Sequence, residues 1–226
     1  MSAPDKHLEI KQLSIALGES VLIERLDLTI SSGETVCLMG ASGSGKSTLL
    51  SWLSGMLDPA FVATGELWLH GRRIDGLPCE KRKVGLLFQD ALLFPHLSVG
   101  ENLHFAVASS VTKHKRIERA HQALERAGLE GFFDKDPATL SGGQRARVSL
   151  MRALLAEPQA ILLDEPFSRL DQTLRTQFRE FVSQHTAEQN LPVLLVTHDP
   201  EDIPVGSRCL NMSELGRGKS QGPSDA

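Results

Sequence analysis

Gly40, Ala41, Ser42, Gly43, Ser44, Gly45, Lys46, Ser47 and Thr48 follow the apolar run Val36-Cys37-Leu38-Met39 and fit the pattern G-x-x-x-x-G-K-[ST]. Glycines at those spacings let the backbone wrap with its N–H groups pointing inward, and a helix starting near Lys46 adds the positive end of its dipole. Such a loop cradles a polyphosphate. Lys46 reaches the outer phosphates as a point charge, the Ser47 hydroxyl holds Mg²⁺, and Thr48 helps pin the loop. A glycine-rich turn with a surface lysine is the alternative, but the strand before it and the apolar helix after it (Leu49, Leu50, Trp52, Leu53) supply the context the motif requires.

Two further groups answer the needs of a bound polyphosphate. Asp164 ends the buried run Ile161-Leu162-Leu163, the place where open α/β sheets put their ligands, and can hold Mg²⁺ together with Ser47. Glu165 is placed to polarise a water for in-line attack on a γ-phosphate, because phosphoryl transfer needs positioning and electrostatics more than covalent chemistry. Alone, Asp-Glu before Pro166 reads as two acids opening a loop; beside a phosphate loop it reads as catalytic. In Leu140-Ser141-Gly142-Gly143-Gln144, Ser141 and Gln144 make an S-x-x-Q capping box, which explains a helix start but not two glycines. Glycines there leave backbone N–H groups approachable, a second anion station about a hundred residues from the first.

The elements that position these residues follow from periodicity. Leu8, Ile10, Leu13, Ile15 and then Val21, Ile23, Leu26, Leu28, Ile30 suggest two strands around a turn at Gly18; Gly65 to Leu69 alternates polar and apolar and joins the same antiparallel flank. Val84 to Phe88 is a short buried strand ending at Gln89. Residues 113 to 128 place Ile117, Ala120, Leu124 and Ala127 on one helical face, with Lys113, Lys115, Arg116 and Arg119 on a solvated one. Another helix runs from Ser141 to about Ala156, a long one follows Asp171, and Val193 to Val196 lead to Thr197 and His198. Continuous apolar strands alternating with helices indicate an α/β chain with a parallel sheet covered on both faces.

Composition narrows the class. With 226 residues and 41% apolar content the chain can bury a sizeable core. No apolar run approaches a membrane span, Met1 to Lys6 lacks the core of a signal peptide, and the expected location is the cytoplasm. Cys37, Cys79 and Cys209 are widely spaced, which speaks against disulfides and zinc. A net charge of −4 gives no basic footprint for nucleic acid.

These motifs, in this order, resemble the ATP-binding cassette subunits of membrane transporters over nearly the whole chain: the phosphate loop, Gln89, Leu140 to Gln144, Leu162-Leu163-Asp164-Glu165-Pro166, Ser168-Arg169-Leu170-Asp171 and His198. The resemblance implies a P-loop NTPase core with an antiparallel β flank in residues 1–88 and 157–212, a helical subdomain in 89–156, and a polar tail in 213–226. It implies ATP and Mg²⁺ as ligands and a head-to-tail dimer, in which Ser141, Gly142, Gly143 and Gln144 of one copy complete the site built by Lys46, Ser47, Asp164 and Glu165 of the other. By the same resemblance Gln89 touches Mg²⁺ and the attacking water, Asp171 bridges the dimer interface, and His198 contacts the γ-phosphate. Phe88-Gln89-Asp90 and Leu92 to Asn102 are similar to the region that importer subunits place under the coupling helix of a permease. The implied protein is peripheral, on the cytoplasmic face of the membrane, with a permease and a solute-binding protein as partners. An exporter, a lipoprotein-release system, or a soluble cassette acting on nucleic acid or ribosomes are the alternatives. The chain departs from the family pattern at Leu17, where an adenine-stacking aromatic is usual, at Arg169, and at Arg145-Ala146.

Overall fold

The computed structural model describes residues 7–41 and 43–215. Strands β1 (His7–Leu17) and β2 (Ser20–Ser31) form a hairpin whose inward residues are Leu8, Ile10, Leu13, Ile15 and Ile23, Leu26, Leu28, Ile30. Inward residues in a strand recur every second position, yet both sets contain a step of three. Bulges make up the difference. Gln12 and Arg25 adopt positive φ, and their displaced amides donate to Asp27 Oδ1 (2.8 Å) and Ser14 Oγ (3.1 Å). Val21, part of the apolar pattern of the second strand, is exposed at the hairpin end.

The chain then changes sheet. β3 (Thr35–Met39) leads through the phosphate loop into α1 (Lys46–Ser54). β4 (Phe61–Leu69) and the short β5 (Arg72–Arg73) return to the antiparallel sheet, whose order is β2-β1-β4-β5. β6 (Val84–Leu87) is an edge strand of the parallel sheet to which β3 belongs. Three helices follow before the next strand: α2 (Val99–Ala106), α3 (Lys113–Arg126) and α4 (Gly142–Leu155). β7 (Ala160–Asp164), α5 (Gln172–Glu188), β8 (Val193–Thr197), β9 (Arg208–Asn211) and α6 (Met212–Leu215) complete the described chain. The parallel order is β6-β7-β8-β3-β9.

Alternation along the buried strands builds two cores. Cys37, Ile161, Leu163, Val193 and Leu195 face the helices α2 to α5, while Val36, Leu38, Leu162, Leu194 and Val196 face α1 and the antiparallel sheet. Cys37 is fully buried and burial pushes its thiol up to about 11, which leaves it protonated and inert at neutral pH.

α2 and β9 are not among the elements expected from periodicity. Ser98 caps α2 through a capping box with Glu101, a signal present in the sequence; β9 is too short and too exposed to show a period, and only its pairing with β3 defines it. Residues 213–215, read as part of a loose tail, belong to α6, because Asn211 Oδ1 accepts from the Ser213 amide at 3.1 Å and so starts a helical turn. The remainder of that tail, the segment Met1 to Lys6 and Ser42 lie outside the described residues.

One glycine carries the junction of β1 with β4. Gly65 sits at φ 130°, and a Cβ there would stand 2.7 Å from Leu13 Cα and 2.9 Å from Lys11 O, both backbone atoms of the bulged strand. Gly65→Ala is expected to lower the unfolding free energy by about 3 kcal/mol in urea titration. Gly76→Ala, where nothing lies within 4 Å, is the control and shifts it by less than about 0.5 kcal/mol.

Candidate nucleotide site

The phosphate loop is built by backbone conformation. Gly43 and Gly45 adopt φ 77° and 92°, the left-handed region in which a side chain costs energy. Gly45 caps α1 with no side-chain hydrogen bond, so the first-turn N–H groups of the helix face the loop uncapped by any side chain. Lys46 is buried and its Nζ donates to Gly40 O (2.6 Å) and Ala41 O (2.8 Å), closing the loop on itself. Ser44 Oγ is buried and has no hydrogen-bond partner among the described residues. Left-handed glycines, a helix start and an unpaired hydroxyl make a donor-rich cradle, which fits a phosphate chain. The cleft beside it is lined by Gly43, Gly45, Lys46, Ser47, Thr48 and Glu165, and by Leu17, Leu22 and Phe61.

The acids lie where β7 leaves the sheet. Asp164 is half-buried; burial first, then the Glu165 carboxylate, push it above the ordinary carboxylate range, and Lys46 only partly offsets them. Two adjacent carboxylates facing one lysine fit a site that also receives a divalent cation. Glu165 has φ 44°, a strained conformation for a side-chain-bearing residue, held by its amide donating to Val196 O at 2.9 Å. Its Oε1 lies 3.0 Å from Nδ1 of His198, which follows β8.

Gln89 is tied to the backbone of Glu165 by a relay. Its Nε2 donates to Ser168 Oγ (3.0 Å), and that hydroxyl donates to Glu165 O (2.9 Å). The loop carrying His198 is braced from behind: Thr197 Oγ1 donates to the buried Asp202 (2.7 Å), and Arg175 of α5 pairs with Asp199. Neither Ser168 nor Arg175 carried a role in the sequence reading, because each acts through contacts far apart in the chain.

The second station stands apart. Ser141 caps α4 in the expected capping box, with Oγ accepting from the Gln144 amide (3.2 Å) and Gln144 Oε1 accepting from the Ser141 amide (2.9 Å). A Cβ on Gly143 would stand 3.2 Å from Leu174 Cδ2, so packing against α5 accounts for that glycine. Gly142 meets only Leu170 at an ordinary 3.6 Å, so packing does not account for it. Asp171 caps α5 by accepting from the Leu174 amide (3.0 Å). Neither Ser141 to Gln144 nor Asp171 lines the phosphate cleft of its own chain. The structure gathers Lys46, Ser47, Thr48 and Glu165 in the phosphate cleft, with Asp164 and His198 beside Glu165, while Gln89 lines a neighbouring cavity that it shares with Pro166 and with Gly142 of α4.

An apolar patch adjoins Gln89. Phe88, Leu92, Phe94 and Phe105 are exposed, Phe105 at 64%. The loop beneath them is stapled by Asn102, fully buried, whose Nδ2 donates to Phe94 O, Leu97 O and Ser98 O (3.1, 3.2 and 2.9 Å). From α4, Arg152 donates to Leu92 O (2.9 Å) and Ala91 O (3.2 Å) and covers the Phe94 ring, and Ser149 donates to Ala91 O (2.9 Å). Arg169 pairs with Asp90 on the same loop, and Arg145 donates to Leu140 O.

Comparison with known proteins agrees with this geometry. A family model described as ABC transporter matches residues 23–168. The chain is 53% identical over 205 residues to the uncharacterized ABC transporter ATP-binding protein YnjD of Escherichia coli (strain K12), covering 91% of this chain and 94% of the relative. It is 41% identical over 185 residues to the maltose/maltodextrin import ATP-binding protein MalK of Yersinia pestis bv. Antiqua (strain Antiqua), covering 81% of this chain but only 49% of that longer relative. Among solved structures, a dimeric post-hydrolysis state of the ATP-binding cassette MJ0796 bound to ADP and Pi superposes with a TM-score of 0.75 at 30% identity, over 90% of this chain and 93% of that one.

The shift at Asp164 has a sign. A carboxyl whose folded-state affinity for protons is raised penalises the folded state at neutral pH, and the penalty is relieved as pH falls toward the raised value. In the absence of nucleotide and Mg²⁺, Asp164→Asn is expected to melt at or above the wild-type temperature at pH 7, with the difference shrinking on acidification. Calorimetry at several pH values checks this; a lower melting temperature for the variant contradicts it.

Proposed function

The chain belongs to the ABC transporter family, and from that premise we propose that it is the ATP-hydrolysing subunit of a membrane transporter, driving solute import through a separate permease. One observation carries the reading: Lys46, Asp164, Glu165 and His198 meet at the carboxyl end of the parallel sheet, with the Glu165 carboxylate 3.0 Å from His198 and its backbone carbonyl tied through Ser168 to Gln89.

In this reading Gly40 to Thr48 bind the phosphates of ATP. Lys46 exchanges its carbonyl partners for phosphate oxygens, and His198 contacts the γ-phosphate. Glu165 polarises a water whose oxygen bonds to the γ-phosphorus as the bond to the β–γ bridging oxygen breaks, giving ADP and phosphate. Ser47, Gln89 and Asp164 would hold Mg²⁺, which supplies charge neutralisation at the phosphate oxygens. The unexplained glycine at 142 supports a dimer in which Ser141 to Gln144 of each copy close the site of the other and Asp171 bridges the seam; the dimeric cassette relative supports the same arrangement. Residues 1–88 and 157–212 act as the nucleotide-binding core and 89–156 as the helical subdomain.

The exposed Phe88, Leu92, Phe94 and Phe105 fit the docking of a permease over Gln89 to Asn102. No helix among the described residues is long and apolar enough to cross a membrane, and we place the chain at the cytoplasmic face through that partner. A solute-binding protein would act through the permease. The import direction is supported by the resemblance of Phe88-Gln89-Asp90 and Leu92 to Asn102 to importer subunits and by the maltose-import relative.

Glu165→Gln is expected to reduce ATP hydrolysis by at least about 100-fold while the variant retains ATP and migrates as a dimer in light-scattering chromatography. Turnover at the wild-type rate would reject Glu165 as the group that activates water.

A further inference from the structure

Phe61 has no task in the chemistry above. It is the first residue of β4 and stands directly opposite Leu17 in the β1–β4 ladder. Residues opposed across an antiparallel pair project from the same side of the sheet. Leu17, Leu22 and Phe61 line the same cleft as Lys46 and Ser47, and Phe61 supplies the only aromatic ring in that lining. A polyphosphate seated at Lys46 therefore continues toward an apolar shelf, and Leu17, 44% exposed, is a large side chain left in water there.

The backbone that carries the ring is fixed by a turn. The Phe61 amide donates to Asp58 O (3.0 Å), and Asp58 Oδ1 accepts from the Ala60 amide (2.8 Å), so a tight turn fixes the entry to β4. Phe61 packs against the core beneath the antiparallel sheet and is half-buried. Trp52 and Trp68 are committed elsewhere, Trp52 to the core and Trp68 to Glu66 through its indole N–H (2.9 Å).

We infer that Phe61, with Leu17 beside it, is the surface on which the base of the nucleotide stacks. Aromatic stacking on bases contributes about 1–3 kcal/mol and tolerates any base, because every base has a π face. The polar side chains of the lining, Lys46, Ser47, Thr48 and Glu165, belong to its phosphate end. The shelf therefore holds the base without reading its edge, and ATP and GTP should bind within about tenfold of one another.

The inference rests on the nucleotide reading of this cleft, and the test separates the two. Titration calorimetry on the full chain with Mg²⁺ compares ATP, GTP and inorganic tripolyphosphate for the wild type, Phe61→Leu and Phe61→Trp. Phe61→Leu keeps an apolar side chain for packing and removes the ring. The expected result is an ATP dissociation constant about tenfold weaker in Phe61→Leu, ~1.4 kcal/mol, an unchanged tripolyphosphate constant, and restored ATP binding in Phe61→Trp. Equal ATP affinity in Phe61→Leu and wild type, or parallel loss of ATP and tripolyphosphate, overturns the role of Phe61. A wild type that binds neither ATP nor tripolyphosphate overturns the nucleotide reading itself.

Discussion

In a parallel sheet buried on both faces, polar side chains first become affordable where the strands end. β3, β7 and β8 are apolar through their interiors and pair in register, Met39 opposite Thr197 and Asp164 opposite Val196. Their carboxyl ends therefore lie level, and the next residues of each strand are the phosphate loop, Glu165 and His198. A one-residue slip of β7 would turn Ile161 and Leu163 out of the helical core and swing Asp164 away from Lys46. The strained φ of Glu165 belongs to the same constraint, since the bond from its amide to Val196 O pins it at the end of β8.

From that edge the architecture extends outward through one loop. Residues 88–98 are fixed at one end by Gln89, which reaches Glu165 through Ser168, and farther along by Ser149 and Arg152 of α4. α4 begins at Ser141, the cap of the second anion station. The exposed Phe94, with Phe105 of α2 packed against its ring, is thus mounted on a segment that is tied to Glu165 at one end and to α4 farther along. Packed, hydrogen-bonded elements of this kind move as units, and under the proposed function this segment is the route by which a change at the γ-phosphate would reach a docked permease.

Legibility in the sequence followed the range of the interaction involved. The phosphate loop, the acids after β7 and the capping box at Ser141 are local patterns whose residues contact each other within a few positions, and the sequence carries them openly. β9 is defined by pairing with β3, more than 160 residues earlier in the chain, and leaves no period of its own. The links Gln89–Ser168 and Arg152–Ala91 span 79 and 61 positions and join residues whose types are unremarkable in isolation. Phe61 is the sharpest case. In sequence Leu17 shows only that an aromatic is absent, and the ladder register is what sets a ring beside it.

The central claim is that each site is shared between two copies, and complementation tests it most directly. Lys46→Ala disables the phosphate loop of one chain. Gly142→Asp places a negative charge at the second station, at a position where an added Cβ meets only an ordinary contact with Leu170. Each variant alone should be inactive, whereas a mixed dimer contains one site with an intact Lys46 from one chain and an intact Gly142 from the other. The account expects phosphate release to return, to a fraction of the wild-type rate, when the two purified variants are combined with ATP and Mg²⁺. A mixture as inactive as its components, with mixed dimers present, would contradict it.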